Sequence, residues 1–292
     1  MRSSSNSCGT KRGTCGAETN KSERDRGHCQ KNLYIVGIGP GDIDHMSRRA
    51  VRVLESVDAV AGYTTYIDLI RPILQDKQIV STGMTREIER IDAALDIAMG
   101  GKSCAVVSSG DPGVYAMAGL VFEMCRERKI PIVGPGCIDA DNPEGLLQVE
   151  VIPGIPALCS GASLLGAPLT HDFAAISLSD LLTPWELIES RLDAAAKSDF
   201  VIVLYNPKSK KRKGHLEKAQ QIVLQYRDSD TPVGIVVSAM RRDQDVRIIP
   251  LRELHLADVN MQTTVFIGSS ASVRYLDFMV TPRGYRKKYD VG

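Results

Sequence analysis

Leu33-Tyr34-Ile35-Val36-Gly37-Ile38-Gly39-Pro40-Gly41-Asp42 is the stretch that decides how this chain is read. Its apolar, β-branched first half predicts a buried strand, which empties into three glycines at alternate positions. Lacking a Cβ, Gly37, Gly39 and Gly41 permit positive φ and let the backbone approach a ligand at the carboxyl end of a parallel sheet. A tight strand-to-helix turn with no ligand is the competing reading. A dinucleotide suits the loop poorly. Its fingerprint needs a third glycine where this chain has Asp42, a carboxylate that repels pyrophosphate, and Pro40 removes a backbone N–H from any phosphate cradle. A ligand neutral or cationic near the backbone fits better, and S-adenosylmethionine, with its sulfonium and no phosphate, is such a ligand.

Working outward, Met46, Ala50, Val53, Leu54 and Val57 recur at helical spacing, and 58–61 reads as the next strand. A strand at 79–81, a helix with Ile88, Ile91, Leu95 and Ala98 inward, and a strand at 104–108 continue the alternation. It predicts an α/β fold with a largely parallel sheet. The last of these strands ends in Ser108-Ser109-Gly110-Asp111-Pro112-Gly113-Val114-Tyr115, so two loops converge on one cleft. Residues 131–147, rich in Gly, Pro, Asp and Asn, read as an inserted surface loop. A strand at 149–152 then runs into Pro153-Gly154-Ile155-Pro156-Ala157 and a small-residue helix at 160–165. Further strands are expected at 174–177, 200–205, 233–238, 246–249 and 263–267, with a helix near 216–226. The partition that follows is two α/β domains, 32–153 and 154–287, with tails at 1–31 and 288–292. The first sheet is parallel and the second mixed, with the active site in the cleft between them.

Composition narrows the classes. With 36 basic against 35 acidic residues among 292, there is no global attraction for nucleic acid. At 43% hydrophobic, the chain can fill a sizeable core, while its apolar runs are strand-length, so no membrane partner is expected. The first thirty residues lack the apolar run of a secretion signal, which points to the cytoplasm. Seven cysteines, at 8, 15, 29, 104, 125, 137 and 159, include no Cys-x-x-Cys pair and predict reduced thiols. Cys8, Cys15, His28 and Cys29 match no standard metal spacing, so no metal is assigned. The tail before Lys31 has almost nothing apolar to offset its ordering entropy and is expected to be mobile.

Three of these segments, Gly-Ile-Gly-Pro-Gly-Asp at 37–42, Ser-Gly-Asp-Pro-Gly-Val-Tyr at 109–115 and Pro-Gly-Ile at 153–155, resemble the signatures of the tetrapyrrole methylases. These are class III S-adenosylmethionine-dependent methyltransferases. Further stretches are similar to the branch that methylates C-17 of precorrin-3B in cobalamin biosynthesis: Ala-Gly-Tyr-Thr-Thr-Tyr at 61–66, His-Asp-Phe at 171–173, Ile-Ser-Leu-Ser-Asp-Leu-Leu-Thr-Pro-Trp-Glu at 176–186, Tyr-Asn-Pro-Lys-Ser-Lys-Lys-Arg at 205–212 and Met-Val-Thr-Pro-Arg-Gly-Tyr at 279–285. The resemblance spans about 32–287, apart from 131–147.

It implies S-adenosylmethionine contacts from Gly39, Pro40, Ser109, Gly110, Asp111, Val114, Tyr115, Pro156, Ala157, Asn206, Ala239 and Thr264. The substrate it implies is precorrin-3B or cobalt-precorrin-3, and the assembly a homodimer. Pro156 departs from the family's more usual Thr and leaves only its carbonyl for a contact. The segment 238–244 is more basic than the family's usual version. Ring contraction calls for a proton donor, for which His171, Asp172, Tyr63, Tyr66 and Ser108 are candidates, a helix cap or core packing being the plainer use of each. Tyr66, Lys208, Lys210, Lys211 and Arg212 are the expected substrate contacts, and the last four, with Lys213, form a dense charge run that would steer a substrate bearing several carboxylates. A solvated loop or RNA is the alternative for that run. Because such loops are shared across the family, methylation at another precorrin carbon and a cofactor-binding regulatory module without turnover stay open.

Overall fold

A computed structural model describes residues 31–135, 145–209, 213–285 and 288–289. The quoted stretch forms β1 (Asn32–Gly37), which becomes an inner strand of a six-stranded, wholly parallel sheet. The others are β2 (Ala59–Tyr63), β3 (Gln78–Thr82), β4 (Cys104–Ser108), β5 (Ile132–Val133) and β6 (Leu147–Ile152), in the order β3-β2-β4-β1-β6-β5. Parallel strands are buried on both faces, which is why they read as apolar runs without polar alternation. Leu33, Ile35, Ala59, Ala61 and Val106 face α3 (Glu87–Met99) and α4 (Met117–Glu127). Val36, Ile38, Val60, Ala105 and Val107 face α1 (Arg48–Ser56) and α2 (Thr64–Ile70). The Ser47 hydroxyl starts α1 by accepting the Ala50 N–H at 3.1 Å.

The second half begins with α5 (Ala157–Leu165) and β7 (Gly166–Ala167), followed by β8 (Phe173–Ser177), α6 (Trp185–Lys197), β9 (Val201–Tyr205) and α7 (His215–Val223). Then come β10 (Pro232–Val237), β11 (Asp245–Pro250), β12 (Thr263–Ile267), β13 (Val273–Tyr275) and β14 (Phe278–Val280). Five of these strands form a mixed sheet, β11-β10-β12-β9-β8, with only β8 and β9 parallel. One face packs on α6 and α7, the other on α5. Gly161 in α5 lets Phe266 come close, since a Cβ there would lie 2.7 Å from the ring. Among the described residues no helix is long and apolar enough to cross a membrane.

Three expectations change. Ile88 is 62% exposed, because the inward stripe of α3 is centred on Ile91, Ala94, Leu95 and Ala98 and leaves Ile88 at its edge. The segment 131–147 is not all surface loop: β5 pairs with β6 from Ile132 to Leu147, so both its ends belong to the sheet, while 136–144 lie outside the described residues. Lys31 is already tied down, its carbonyl accepting the Gln148 N–H at 2.9 Å. Residues 1–30, with Cys8, Cys15, His28 and Cys29, lie outside the described residues.

Phe266 is fully buried between α5 and the sheet. Phe266→Ala is expected to cost about 3–5 kcal/mol in urea unfolding. A loss below about 1 kcal/mol would contradict this packing.

Candidate active site

β4, β1 and β6 are neighbours, so the loops leaving their carboxyl ends lie side by side. The first two are stitched by backbone: Ile38 N–H donates to the Ser108 carbonyl at 2.9 Å, Gly39 N–H to the Gly110 carbonyl at 3.1 Å, and Gly110 N–H to the Gly39 carbonyl at 2.7 Å. Gly39 and Gly110 take φ of +67° and +69°, which side-chain-bearing residues rarely adopt. The third loop closes on both. A Cβ on Gly37 would stand 2.6 Å from the Gly154 nitrogen, and one on Gly154 would overlap the Gly110 carbonyl.

Asp111 ties the same loops through its side chain. Its Oδ1 accepts Gly113 N–H at 2.8 Å and its Oδ2 accepts Gly154 N–H at 3.1 Å. Val114 N–H donates to the Asp111 carbonyl at 3.3 Å. The carboxylate of the Ser-Gly-Asp-Pro turn therefore organises the cradle before it meets any ligand. The Ser108 hydroxyl, 2% exposed at the base of these loops, has no hydrogen-bond partner among the described residues. A buried hydroxyl left unpaired costs free energy that a bound group can recover.

The opposite wall joins Tyr115 of the first half to residues of the second. Tyr115 takes φ +53° and donates its hydroxyl to the Ala175 carbonyl at 2.8 Å, while its ring meets Tyr205 at 5.1 Å. The Tyr205 oxygen accepts Leu158 N–H at 2.9 Å in the first turn of α5, and burial pushes this phenol up to about 12. Asn206, at φ +52°, donates from its side-chain amide to Ser177 Oγ at 2.9 Å. Arg241, in the turn between β10 and β11, donates from Nε to the Pro40 carbonyl at 2.6 Å and from Nη2 to Ser109 Oγ at 3.0 Å. Tyr115, Asn206, Ser238 and Met240 all hold left-handed backbone, a cost that persists only where the surroundings impose it.

Of the residues singled out in the sequence, Gly39, Pro40, Ser109, Gly110, Asp111, Val114, Tyr115, Ala157 and Asn206 lie on these converging loops and turns. Ala239 packs in the apolar cluster that holds Leu158 and Tyr205. Thr264 is buried in β12, one residue before Val265, which pairs with Leu204. Pro156 caps α5, and its carbonyl already accepts Cys159 and Ser160 N–H at 2.9 and 3.1 Å, which uses the contact left to it. Tyr63 and Tyr66 sit edge to face at 5.2 Å where β2 passes into α2.

His171 and Asp172 do not join them. They precede β8, whereas Ser177 at its far end faces Asn206, about 17 Å away along an extended strand. Because β8 and β9 are parallel, both deliver only their carboxyl ends to the site. His171 accepts its neighbour Asp172's N–H at 2.8 Å, a local loop contact. Lys208 follows Pro207 just past β9, and Lys210, Lys211 and Arg212 lie outside the described residues. Sequence reading missed Arg90, 3% exposed on the inward side of α3, and Tyr205. An arginine one position before a core isoleucine was the available signal for the first; the second hides in an apolar strand.

The family of Tetrapyrrole (Corrin/Porphyrin) Methylases matches residues 32–255. The chain belongs to the tetrapyrrole methylase family. This tetrapyrrole methylase is 48% identical over 257 residues to a cobalt-factor III methyltransferase of Priestia megaterium, covering 88% of this chain and 46% of that protein. It is 42% identical to a probable cobalt-factor III C(17)-methyltransferase of Salmonella typhimurium, covering 87% of this chain and 99% of that one. The chain thus spans about half of the first relative and nearly all of the second. The crystal structure of the methyltransferase CobJ superposes with a TM-score of 0.75 at 31% identity, covering 86% of this chain and 99% of that chain.

The Tyr205 phenol ionises later in the folded methylase than in the unfolded chain, so its contribution to stability is present below about pH 10 and declines as pH rises toward 12. Thermal melts across that range should show this decline, and Tyr205→Phe should remove part of it.

Proposed function

We propose that the cleft binds S-adenosylmethionine and that the protein transfers a methyl group to C-17 of precorrin-3B or its cobalt counterpart, cobalt-factor III, with ring contraction, in cobalamin biosynthesis. The observation that carries the reading is the glycine cradle. Gly37, Gly110 and Gly154 pack so closely that backbone forms the floor, Ser108 presents an unpaired hydroxyl there, and Asp42 with Pro40 makes the rim unsuited to phosphate. Such a floor fits an adenosyl group carrying a cationic sulfur. A strongly identical relative that this chain covers almost end to end and that is named for the C(17) reaction supports the substrate.

Gly39, Pro40, Ser109, Gly110 and Asp111 hold the cofactor from the first sheet, and Val114, Tyr115, Ala157, Asn206, Ala239 and Thr264 complete its pocket. Bound S-adenosylmethionine supplies a methyl already activated by positive sulfur. The protein's task is to orient it against the tetrapyrrole carbon and to exclude water, which is where most of the rate gain of such a reaction lies. The paired rings of Tyr115 and Tyr205 form an apolar wall suited to that exclusion. Tyr63, Tyr66 and Ser108 are the hydroxyls on this side of the molecule that could donate a proton during contraction. The working unit is a homodimer in the cytoplasm.

Calorimetric titration with S-adenosylhomocysteine and transfer of labelled methyl to cobalt-factor III test the reading. Heat with S-adenosylhomocysteine, none with NAD, and a methylated corrinoid product are expected; heat with NAD alone overturns it. Asp111→Ala should weaken S-adenosylhomocysteine at least tenfold, about 1.4 kcal/mol, because the second and third loops lose their shared acceptor.

A further inference from the structure

Two guanidinium groups stand on this side of the first sheet without an ion-pair partner: Arg241 at the rim of the cradle and Arg90 at the carboxyl end of β3. Arg241 spends Nε and one Nη on the Pro40 carbonyl and Ser109 Oγ, and its other Nη makes no hydrogen bond among the described residues. Arg90 is 3% exposed, yet it bonds only neutral acceptors: Thr82 Oγ1 at 2.8 Å, the Gly83 carbonyl at 3.1 Å and Met117 Sδ at 3.8 Å. Among the described residues neither arginine has a carboxylate within ion-pair distance. Glu87 acts on Arg90 through space, but its Oε1 is taken by the Thr85 N–H at 3.1 Å.

Tyr66 is linked to both through its neighbours. Toward Arg241, Gly41 is the joint: a Cβ there would stand 2.9 Å from Arg241 Nε and 3.1 Å from Leu69, which shares a face of α2 with Tyr66 one turn earlier. Toward Arg90, Tyr63 pairs in register with Thr82, the residue that accepts Arg90 Nε, and Tyr63 packs edge-on against Tyr66. Both guanidinium charges act on the Tyr66 phenol, against the burial that raises its pKa. Tyr66 is half-buried, and its hydroxyl makes no hydrogen bond among the described residues. Uncompensated charge in a low-dielectric site is costly until an anion arrives, and a phenol with a free donor gives that anion a second anchor.

We infer that Arg241, Tyr66 and Arg90 form a carboxylate subsite for an acetate or propionate side chain of the tetrapyrrole, fixing which edge of the macrocycle is turned toward the methyl donor. Arg241 and Tyr66 contact the carboxylate, and Arg90 acts from behind through the field it imposes. This deepens the substrate reading above and rests on it. Because Arg241 also props the two glycine loops, the same residue would report an occupied substrate edge to the cofactor floor. S-adenosylmethionine carries a carboxylate too, so the test must separate the two sources.

The experiment uses the full chain with Tyr66→Phe and Arg241→Gln, measuring cobalt-factor III binding by absorbance in the presence of saturating S-adenosylhomocysteine. Tyr66→Phe removes a hydroxyl that no protein group uses, so the fold has nothing to lose. Expected are a cobalt-factor III Kd raised about tenfold in Arg241→Gln and about threefold in Tyr66→Phe, with a shallower dependence of affinity on salt in Arg241→Gln. Losses for S-adenosylhomocysteine should be several-fold smaller in the same variants. 5′-Methylthioadenosine, which lacks the carboxylate, serves as the second arm. If Arg241→Gln erases the advantage of S-adenosylhomocysteine over 5′-methylthioadenosine and leaves cobalt-factor III binding unchanged, the carboxylate is the cofactor's and the inference is overturned. Unchanged cobalt-factor III affinity in both variants also overturns it, while the function reading stands. If the unsubstituted chain binds no cobalt-factor III, both fall together.

Discussion

Everything at the cleft depends on backbone meeting backbone where three adjacent parallel strands end. A Cβ on Gly37 or on Gly154 would run into the backbone of the other and into the Gly110 carbonyl, so the loops after β1, β4 and β6 close into a continuous floor. Side chains would hold these loops apart by roughly the width of a methyl group, and the floor would open into separate turns. The Gly39–Gly110 hydrogen-bond pair and the Asp111 carboxylate then hold what the glycines permit. A cleft built this way is shaped by main chain, which leaves its chemistry to the few side chains leaning over it.

Those side chains come mostly from the second half, and each reaches across through a bond with one clear donor and acceptor. Tyr115 extends from the first half to the Ala175 carbonyl, and Arg241 reaches back to Pro40 and Ser109. Tyr205 receives the first turn of α5. Tyr115, and Asn206 and Met240 beside Tyr205 and Arg241, are in left-handed backbone. Strain of that kind is tolerated because two sheets, each with its own buried core, over-determine the turns between them. The result is a site whose geometry is set by rigid elements while Ser108 Oγ, buried at its base, is left without a hydrogen-bond partner among the described residues.

Charge is distributed with the same economy. The whole chain is nearly neutral, so any attraction for an anionic substrate must be local. In the proposed carboxylate subsite Arg90 and Arg241 provide it, and burial amplifies Arg90's effect by removing the water that would screen it.

The alternation of strands and helices, the three loops and the parallel first sheet were legible from residue order, because buried parallel strands are apolar on both faces and glycines mark their exits. Asp111 was visible as a motif, though its use as a tie between loops was not, since Gly154 lies 43 residues away. His171 and Asp172 looked reactive as neighbours in sequence, yet strand direction placed them at the wrong end of β8. Residue order by itself determined the family, the glycines at the strand exits and the unsuitability of the loop for phosphate, all consequences of local backbone chemistry. Only tertiary structure decided which charges and hydroxyls reach that floor, because whether Arg90, Tyr66 and Arg241 share one place depends on helix rotation and sheet pairing that no single segment encodes.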